Sequence, residues 1–376
     1  MRVLMVGNIH PPHDLGGGYE LDWAAGVAAL QEAGHDVRVL ASDYRRADVS
    51  EADPPWVLRP LRWYWQDHEF PRRSWRERRA LERHNAAVMS EQLDAFRPDV
   101  VSWWSMGGMS LALIDQVHRA GVPALGLVYD DWMVYGPKVA GRAPRLGRAA
   151  RWLFCSDSVR RAALGAQPDL NDTGLLAPGL DEIFLTAAPA TDWRWRLLLP
   201  GRLDPRKGVA TAIEALELLP DAQLTLIGTG DPAYVTELQA TAQRLGVGDR
   251  VAFRPPRPRA QLVGAYAAVD AVLFPVIWAE PFGLVPLEAM GVGRPVVASG
   301  RGGSGEYLRD DVNCLLHAAE DPQSLAAAVK RLAAEPGLRD RLRDGGVETA
   351  PQFARSRWNE RLVAEHEQRA LGAAPQ

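Results

Sequence analysis

Residues 271–298 read AVLFPVIWAEPFGLVPLEAMGVGRPVVA, and this stretch decides the fold class. The apolar runs 271–275 and 295–298 predict strands that are buried on both faces. Between them, a Pro-Phe-Gly loop leads into a segment that is expected to begin a helix. A strand, a loop, a helix and a second strand in this order are typical of a parallel sheet covered by helices.

The same alternation continues along both halves of the chain. Further buried strands are predicted at 2–6, 37–40, 98–104, 122–128, 151–156, 196–200, 224–227 and 251–253. Helical patterns lie between them, for example at 19–33 and at about 209–219. The fold class that follows is α/β, with doubly wound parallel sheets.

The length of 376 residues corresponds to about two domains of ordinary size. Residues 165–190 are rich in Gly, Pro, Asp and Ala and lack a sustained periodicity, so the linker is expected there. We therefore predict one domain over 1–185 and a second that begins at 186.

The composition excludes several classes of protein. Hydrophobic residues make up 47% of the chain and charged residues 24%, which rules out global disorder. The net charge of −4 gives no sign of a nucleic-acid partner. Two cysteines cannot form a disulfide framework, and no 18-residue apolar stretch or signal peptide is present. These features predict a cytoplasmic protein.

Candidate ligand-binding residues follow the strands of the second half. Arg202 and Lys207 suit a diphosphate, although two such cations are also common on a solvated surface. Glu280 and Glu288 are separated by seven residues, and two carboxylates suit the vicinal hydroxyls of a ribose and a sugar. Gly283 precedes the expected helix N-terminus, where free backbone N–H groups can hold phosphate oxygens.

The first half contributes weaker candidates. Glycines 16–18 are expected either to form a turn or to let the backbone come close to a ligand. Trp104, Tyr129 and Asp130 lie at strand ends, where doubly wound sheets bind ligands. Residues 56–83 hold six aromatic residues among eight arginines. They predict a strand and loop with arginine stems over aromatic rings, a site for a polar ring-shaped acceptor, or a lipid-facing surface.

Several functional motifs do not occur in the sequence. The glycine loop after the first strand is not a G-x-G-x-x-G, and no P-loop occurs in the sequence, which argues against a dinucleotide oxidoreductase and a P-loop nucleotidase. The sequence also contains no D-x-D, H-E-x-x-H or paired C-x-x-C, so no metal site is expected.

Taken together, these segments resemble the retaining family-4 glycosyltransferases, which have the GT-B fold of two Rossmann-like domains facing a central cleft. The resemblance covers nearly the whole chain, and the Glu-x7-Glu segment with the Arg/Lys segment upstream is its most specific part. The motifs are GGYE at 17–20, GHDV at 34–37, PDVV at 98–101, GRLDPRKG at 201–208, IGTG at 227–230, EPFGLVPLEAM at 280–290 and GRPVVAS at 293–299.

The resemblance implies transfer of a sugar from a nucleotide diphosphate to an acceptor hydroxyl with retention of configuration, without metal or cofactor. Arg202 and Lys207 would neutralise the diphosphate leaving group and Glu280 would hold the donor sugar, which makes these three the predicted catalytic residues. The implied donor-binding residues are Gly17, Gly18, Gly228, Phe282, Gly283, Leu284 and Glu288. The second domain, 186–352, would hold the donor, the first the acceptor, and a helix over 353–376 would cross back to the first.

One segment departs from the family. His-Asp-x-Trp is common after the fifth strand, whereas this chain has Tyr129-Asp130-Asp131-Trp132. Tyrosine cannot replace the acid–base role of an imidazole near pH 7. Asp130 still matches, and His10 and His13 are the nearest histidines that could compensate. The predicted acceptor-binding residues are therefore His13, Trp104, Tyr129 and Asp130.

The substrates stay open at this point. The donor is expected to be a UDP-, GDP- or dTDP-sugar, and the acceptor a small polar natural product, as in antibiotic biosynthesis. The alternatives are a cell-envelope glycan or glycolipid transferase at the membrane surface, a sugar-nucleotide epimerase or phosphorylase, and a nucleotide-sugar-binding protein that has lost catalysis. No nucleic-acid or membrane contact is expected.

Overall fold

The computed structural model describes residues 1–13, 17–66, 69–141, 145–189 and 192–372. These residues form two compact units. The first contains residues 1–178 and the C-terminal residues from 356 onward, and the second contains residues 179–355. The chain therefore passes between the units at 178/179 and at 355/356, compared with the predicted boundaries at 185/186 and 352/353.

The first unit is built on a seven-stranded parallel sheet. Its strands are β1 (Arg2–Val6), β2 (Asp36–Ser42), β3 (Val57–Leu61), β4 (Val100–Trp103), β5 (Ala124–Val128), β6 (Arg151–Phe154) and β7 (Thr173–Leu175). Their spatial order is β3-β2-β1-β4-β5-β6-β7. β4 and β5 are buried along their whole length, as expected for strands covered by helices on both faces.

Helices of the first unit connect these strands. They are α1 (Gly18–Glu32), α2 (Trp75–Phe96), α3 (Ala112–Arg119), α4 (Trp132–Ala140) and α5 (Asp157–Ala166). α5 begins after Ser156, whose Oγ accepts from the Val159 N–H over 3.2 Å and so caps the helix.

The prediction for residues 56–83 was wrong over its second part. A strand and a loop were expected, but the 22-residue helix α2 begins at Trp75. A capping box starts it, since Ser74 Oγ accepts from the Glu77 N–H and the Glu77 carboxylate accepts from the Ser74 N–H. The signal Ser-x-x-Glu was present, but the arginines around it hid the apolar periodicity.

The last helix of the chain packs on the first unit. α12 (Arg355–Leu371) buries Trp358, Leu362 and His366. The Trp358 ring lies edge-on to that of Trp104, with 6.4 Å between the ring centroids. His366 Nε2 accepts from Ser102 Oγ of β4 over 2.9 Å, because its Nδ1 lies 2.7 Å from the Leu362 carbonyl and donates to it.

The second unit has a six-stranded parallel sheet. Its strands are β8 (Arg196–Pro200), β9 (Gln223–Ile227), β10 (Val251–Arg254), β11 (Ala271–Phe274), β12 (Val296–Ala298) and β13 (Leu315–Leu316), in the order β10-β9-β8-β11-β12-β13. The helices are α6 (Val209–Ala215), α7 (Pro232–Arg244), α8 (Arg259–Ala267), α9 (Val285–Gly291), α10 (Pro322–Ala334) and α11 (Pro336–Thr349).

Both sheets reverse their strand order beside a central strand. The reversal falls between β1 and β4 in the first unit and between β8 and β11 in the second. In doubly wound folds, ligands bind outside the carboxyl ends of the strands at such a point. The segments that follow β8 and β11 are therefore where a ligand of the second unit is expected, and they contain Arg202, Lys207 and Glu280.

No helix in the described part of the chain is long and apolar enough to cross a membrane.

Candidate functional site

The loop after β8 is held in shape by its own charges. Asp204 caps a 3₁₀ turn at Pro205–Lys207 and accepts from the Arg206 N–H over 2.9 Å. The Arg206 guanidinium also donates to both Asp204 oxygens, over 2.9 and 2.7 Å. These hydrogen bonds lower the pKa of Asp204 to about 2. The loop is thus preformed, and the Arg206 guanidinium is occupied by the hydrogen bonds that stabilise it.

This loop is joined to the segment that follows β11. The Ile277 N–H donates to the Arg206 carbonyl over 2.9 Å. Gly208 has a φ of 68°, and a Cβ there would lie 1.9 Å from the Pro275 carbonyl oxygen. Only glycine permits so close an approach of two backbones. This contact brings two predicted catalytic residues together across 73 positions of sequence.

Lys207 and Glu280 form an ion pair. Lys207 Nζ donates to Glu280 Oε2 over 2.7 Å, and the Glu280 residue is only 8% exposed. Trp278 Nε1 donates to the same oxygen, also over 2.7 Å. The pair is a cation and an anion at the point where the strand order reverses, which suits a ligand that carries both phosphate and hydroxyl groups.

Arg202 differs from its neighbours because its guanidinium stays exposed. Within the described ranges, no carboxylate pairs with it, since Asp204 is bound by Arg206. A positive charge without a protein partner at the end of a central strand is available to an anionic ligand.

Glycines 302 and 303 fix the backbone of Glu280. The Gly303 N–H donates to the Glu280 carbonyl over 2.7 Å. Gly302 has a φ of 69°, and a Cβ there would lie 2.4 Å from the same carbonyl oxygen. These two glycines thus allow two chain segments to meet behind Glu280.

Glu288 is buried in a polar cluster of its own. Its Oε2 accepts from Tyr266 Oη over 2.6 Å, and its Oε1 lies 3.1 Å from Arg259 Nη2. α9 begins at Val285, so Glu288 lies in its first turn. Burial together with the Glu288 charge raises the pKa of the Tyr266 hydroxyl well above its usual range.

The loop between the two glutamates packs against aromatic side chains. The Phe282 ring is buried against Tyr307 and Phe353, with centroid distances of 5.2 and 5.6 Å. Gly283 has a φ of 86°, and its carbonyl accepts a hydrogen bond from the Tyr307 hydroxyl. Leu284 is half-buried and directly precedes α9. The predicted ligand contacts here are backbone groups, and these packing contacts fix the backbone.

Gly228 lies where β9 ends. A Cβ there would be 1.9 Å from the Gly201 carbonyl oxygen, so glycine is required for the ends of β8 and β9 to approach each other. In the first unit, Gly17 is the N-cap of α1 and Gly18 is its first residue. Gly16 lies outside the described residues.

Trp104 belongs to the core of the first unit. It has no exposed surface, and it stacks on Trp23 and Tyr129 with centroid distances of 5.7 and 6.2 Å. Its Nε1 donates to Ser102 Oγ over 3.1 Å. The expectation that it contacts an acceptor is corrected, because the strand end turns this ring inward between α1 and α12.

Tyr129, which replaces the family histidine, is tied to α1. Its hydroxyl donates to Asp22 Oδ2 over 2.7 Å, and Asp22 is completely buried. Asp130 next to it is half-buried and accepts from the Trp132 N–H over 3.1 Å and from Tyr135 Oη over 3.2 Å. Burial raises the pKa of Asp130 to about 6. Asp130 is thus a carboxyl group that titrates close to neutrality.

Burial lowers the pKa of both loop histidines, which disfavours the cationic form that the missing imidazole would supply. Burial lowers the pKa of His10 to about 4. Burial also lowers the pKa of His13, and the charges of Arg59, Arg45 and Arg46 lower it further. His13 Nδ1 accepts from the Arg46 N–H over 3.2 Å, which anchors the ring locally.

Sequence reasoning did not single out the residues that hold the two glutamates. Trp278 lies two residues before Glu280, so an N–H donor beside a carboxylate was a readable signal. Tyr266 and Arg259 lie on α8, 22 and 29 positions before Glu288, and no local pattern connects them with it.

Two doubly wound units with parallel sheets are the fold of the GT-B class of proteins, and the candidate residues of the second unit lie where its strand order reverses. Two family models match the chain, one described as "Glycosyl transferases group 1" over residues 189–349 and the other as "Glycosyltransferase Family 4" over residues 18–168. The chain belongs to glycosyltransferase family 4.

Sequence relatives agree with this membership. The chain is 37% identical over 287 residues to the D-inositol 3-phosphate glycosyltransferase of Frankia alni, which covers 67% of this chain and 69% of the relative. It is 36% identical over 214 residues to the protein of the same name from Xylanimonas cellulosilytica, covering 52% and 50%. The chain thus spans about half the length of some of the curated relatives that it matches.

Solved structures show the same fold. Sucrose-phosphate synthase from Thermosynechococcus elongatus superposes with a TM-score of 0.79 at 20% identity, over 99% of this chain and 100% of that one. HepE from Anabaena, solved in complex with UDP and glucose, has a TM-score of 0.73 at 21% identity, over 98% and 100%.

Proposed function

We propose that the protein is a retaining glycosyltransferase that moves a sugar from a nucleoside-diphosphate donor to a hydroxyl of a small polar acceptor. The observation that carries this proposal is the Lys207–Glu280 ion pair at the point where the strand order of the second unit reverses. Arg202 lies on the same loop as Lys207, and no carboxylate among the described residues pairs with it. Membership of glycosyltransferase family 4 supports the reaction class.

The charges of the second unit fit the leaving group of this reaction. When the bond between the sugar and the diphosphate breaks, negative charge develops on the diphosphate. Arg202 and Lys207 would stabilise that charge from fixed positions, which is the kind of electrostatic stabilisation that lowers a barrier most. In this proposal the donor needs no metal ion.

The two carboxylates would bind different parts of the donor. Glu280 would accept from hydroxyls of the sugar, and Glu288 from those of the ribose. Backbone N–H groups at Gly283 and Leu284 would hold phosphate oxygens. The UDP complexes of the structural neighbour HepE make UDP-sugars the first donors to test.

The acceptor is proposed from chemistry and from the relatives' names. Tyr129 and Asp130 offer a hydrogen-bonding hydroxyl and a carboxyl at the end of β5, which suits a compound rich in hydroxyl groups. The relatives are named for D-inositol 3-phosphate, so this cyclitol phosphate is the first acceptor to test. Polyhydroxylated natural products form the second group.

Release of nucleoside diphosphate tests the proposal. The protein is incubated with UDP-glucose, UDP-N-acetylglucosamine, GDP-mannose or dTDP-glucose, with and without D-inositol 3-phosphate. We expect one donor to give product only when acceptor is present. Arg202→Ala is expected to lower kcat by about 10²–10³. Arg244→Ala, at an exposed position of α7, is the matched control and should leave kcat unchanged.

A second candidate function is nucleotide-sugar binding without turnover. The observation that favours it is Tyr129, because its hydroxyl is engaged by Asp22 where the family has an imidazole. This function requires a donor to bind in calorimetry while no acceptor gives product.

Full activity of Arg202→Ala would contradict the catalytic proposal directly.

A further inference from the structure

The indole of Trp278 lies against the ion pair of the second unit. Trp278 Nε1 and Lys207 Nζ both donate to Glu280 Oε2, each over 2.7 Å. A hydrogen bond to a charged carboxylate is stronger than one between neutral groups. Two such bonds to one oxygen fix both the position and the rotation of a carboxylate that is already buried.

The other carboxylate oxygen is left for a ligand. Glu280 Oε1 has no hydrogen-bond partner among the residues that the structure describes. A carboxylate oxygen accepts up to two hydrogen bonds and donates none. The chemical group that completes this site is therefore a donor, and the hydroxyls of a sugar have that property.

Trp278 is itself held in place by the preformed loop after β8. The Arg206 guanidinium lies over the indole with 4.5 Å between its central carbon and the ring centroid. Lys207 Nζ is 5.7 Å from the same centroid. Because Asp204 holds Arg206, the stack continues from Asp204 through Arg206 to Trp278 and ends at Glu280. A rigid chain of contacts of this kind positions a group without touching the ligand.

We propose that Trp278 is a positioning residue that orients the Glu280 carboxylate, with Lys207, to receive a hydroxyl of the donor sugar. This inference rests on the proposed function and adds a residue to it. The effect of Trp278 on binding is expected to be confined to the sugar part of the donor. In the proposed function, other groups hold the nucleoside diphosphate part.

Calorimetric titration of the 376-residue chain separates these two parts of the donor. UDP-glucose, UDP-N-acetylglucosamine, GDP-mannose and dTDP-glucose are each compared with their own nucleoside diphosphate. Trp278→Phe keeps an aromatic ring under Arg206 but removes the N–H. We expect it to weaken binding of the preferred sugar nucleotide about tenfold or more, and to leave binding of the nucleoside diphosphate within about twofold. Trp278→His, which keeps an N–H donor, should recover part of the loss.

Trp193→Phe is the matched control. An arginine, Arg339, also lies over the Trp193 ring, at 5.5 Å, but its indole N–H has no partner in the described part of the chain. This variant should bind both ligands as the wild type does. Equal weakening of sugar nucleotide and nucleoside diphosphate in Trp278→Phe, or no weakening, would overturn the positioning role. Failure of the wild type to bind any of the four donors would instead contradict the proposed function.

Discussion

At the scale of single residues, Asp130 is a carboxyl group whose charge changes with pH close to neutrality. Its pKa is about 6 in the folded protein because burial disfavours the carboxylate, against an ordinary value of 3.8. The folded state therefore binds more protons than the unfolded state between about pH 4 and 6. Its contribution to stability is present below this window and is lost as the pH rises through it.

Asp130→Asn should remove the loss of stability that comes from ionising the buried carboxyl group. The variant cannot ionise, so its free energy of unfolding, relative to wild type, should increase by about 2 kcal/mol between pH 4 and pH 7. Urea unfolding of both proteins at several pH values measures the difference. A difference that stays constant across this range would show that Asp130 ionises as easily in the folded protein as in the unfolded chain.

The sequence predicted the location of some of the site residues, and the reason is local chemistry. Lys207 and Glu280 each follow a recognisable strand, so their approach followed from the topology of the sheet. The partners of Glu288 could not be predicted in this way, because Tyr266 and Arg259 reach it from α8 through tertiary packing. Trp104 was misplaced because a strand-end position does not determine which way a large ring turns.

At the scale of elements, α1 is packed so closely that one of its residues must be glycine. A Cβ at Gly26 would lie 2.8 Å from Leu362 of α12 and 3.2 Å from Trp104. Gly165 in α5 is the opposite case, since a Cβ there would meet nothing within 4 Å. The two positions form a matched pair on helices of the same unit.

Alanine at these two glycines should change stability in opposite directions. Gly165→Ala should stabilise the protein by about 0.5–1 kcal/mol, because alanine loses less conformational freedom in a helix. Gly26→Ala should destabilise it by about 1–3 kcal/mol, because the new methyl group overpacks the contact with Leu362. Chemical denaturation of both variants measures these changes. Stabilisation by both substitutions would mean that α12 gives way easily.

The elements that the sequence did not predict are short or dominated by charge. β7 has three residues and β13 has two, so neither is long enough to show a pattern. α2 begins with the charged stretch WRERRALER, residues 75–83, and follows a loop. The strands at the centre of each sheet were predicted correctly, because burial on both faces makes them continuously apolar.

At the scale of the whole molecule, the first unit is completed by the end of the chain. α12 follows the second unit in sequence, yet Trp358, Leu362 and His366 are buried in the first. Arg151 of β6 holds the same helix through Glu365, with 2.8 Å between Nε and Oε2. The core of the first unit therefore depends on residues that lie more than 170 positions beyond its other segments.

This dependence predicts that a charge placed under α12 loosens one unit selectively. Leu362 is completely buried, so Leu362→Asp would place a carboxylate without a partner among apolar residues of the first unit. Hydrogen exchange should accelerate in peptides from β1 and β4 and stay near its wild-type rate in peptides from β8 and β9. Arg361→Asp, at the exposed neighbouring position, is the control and should leave both sets protected. Equal acceleration in both units would mean that they unfold as one cooperative body, and α12 would then stabilise the whole chain and not the first unit alone.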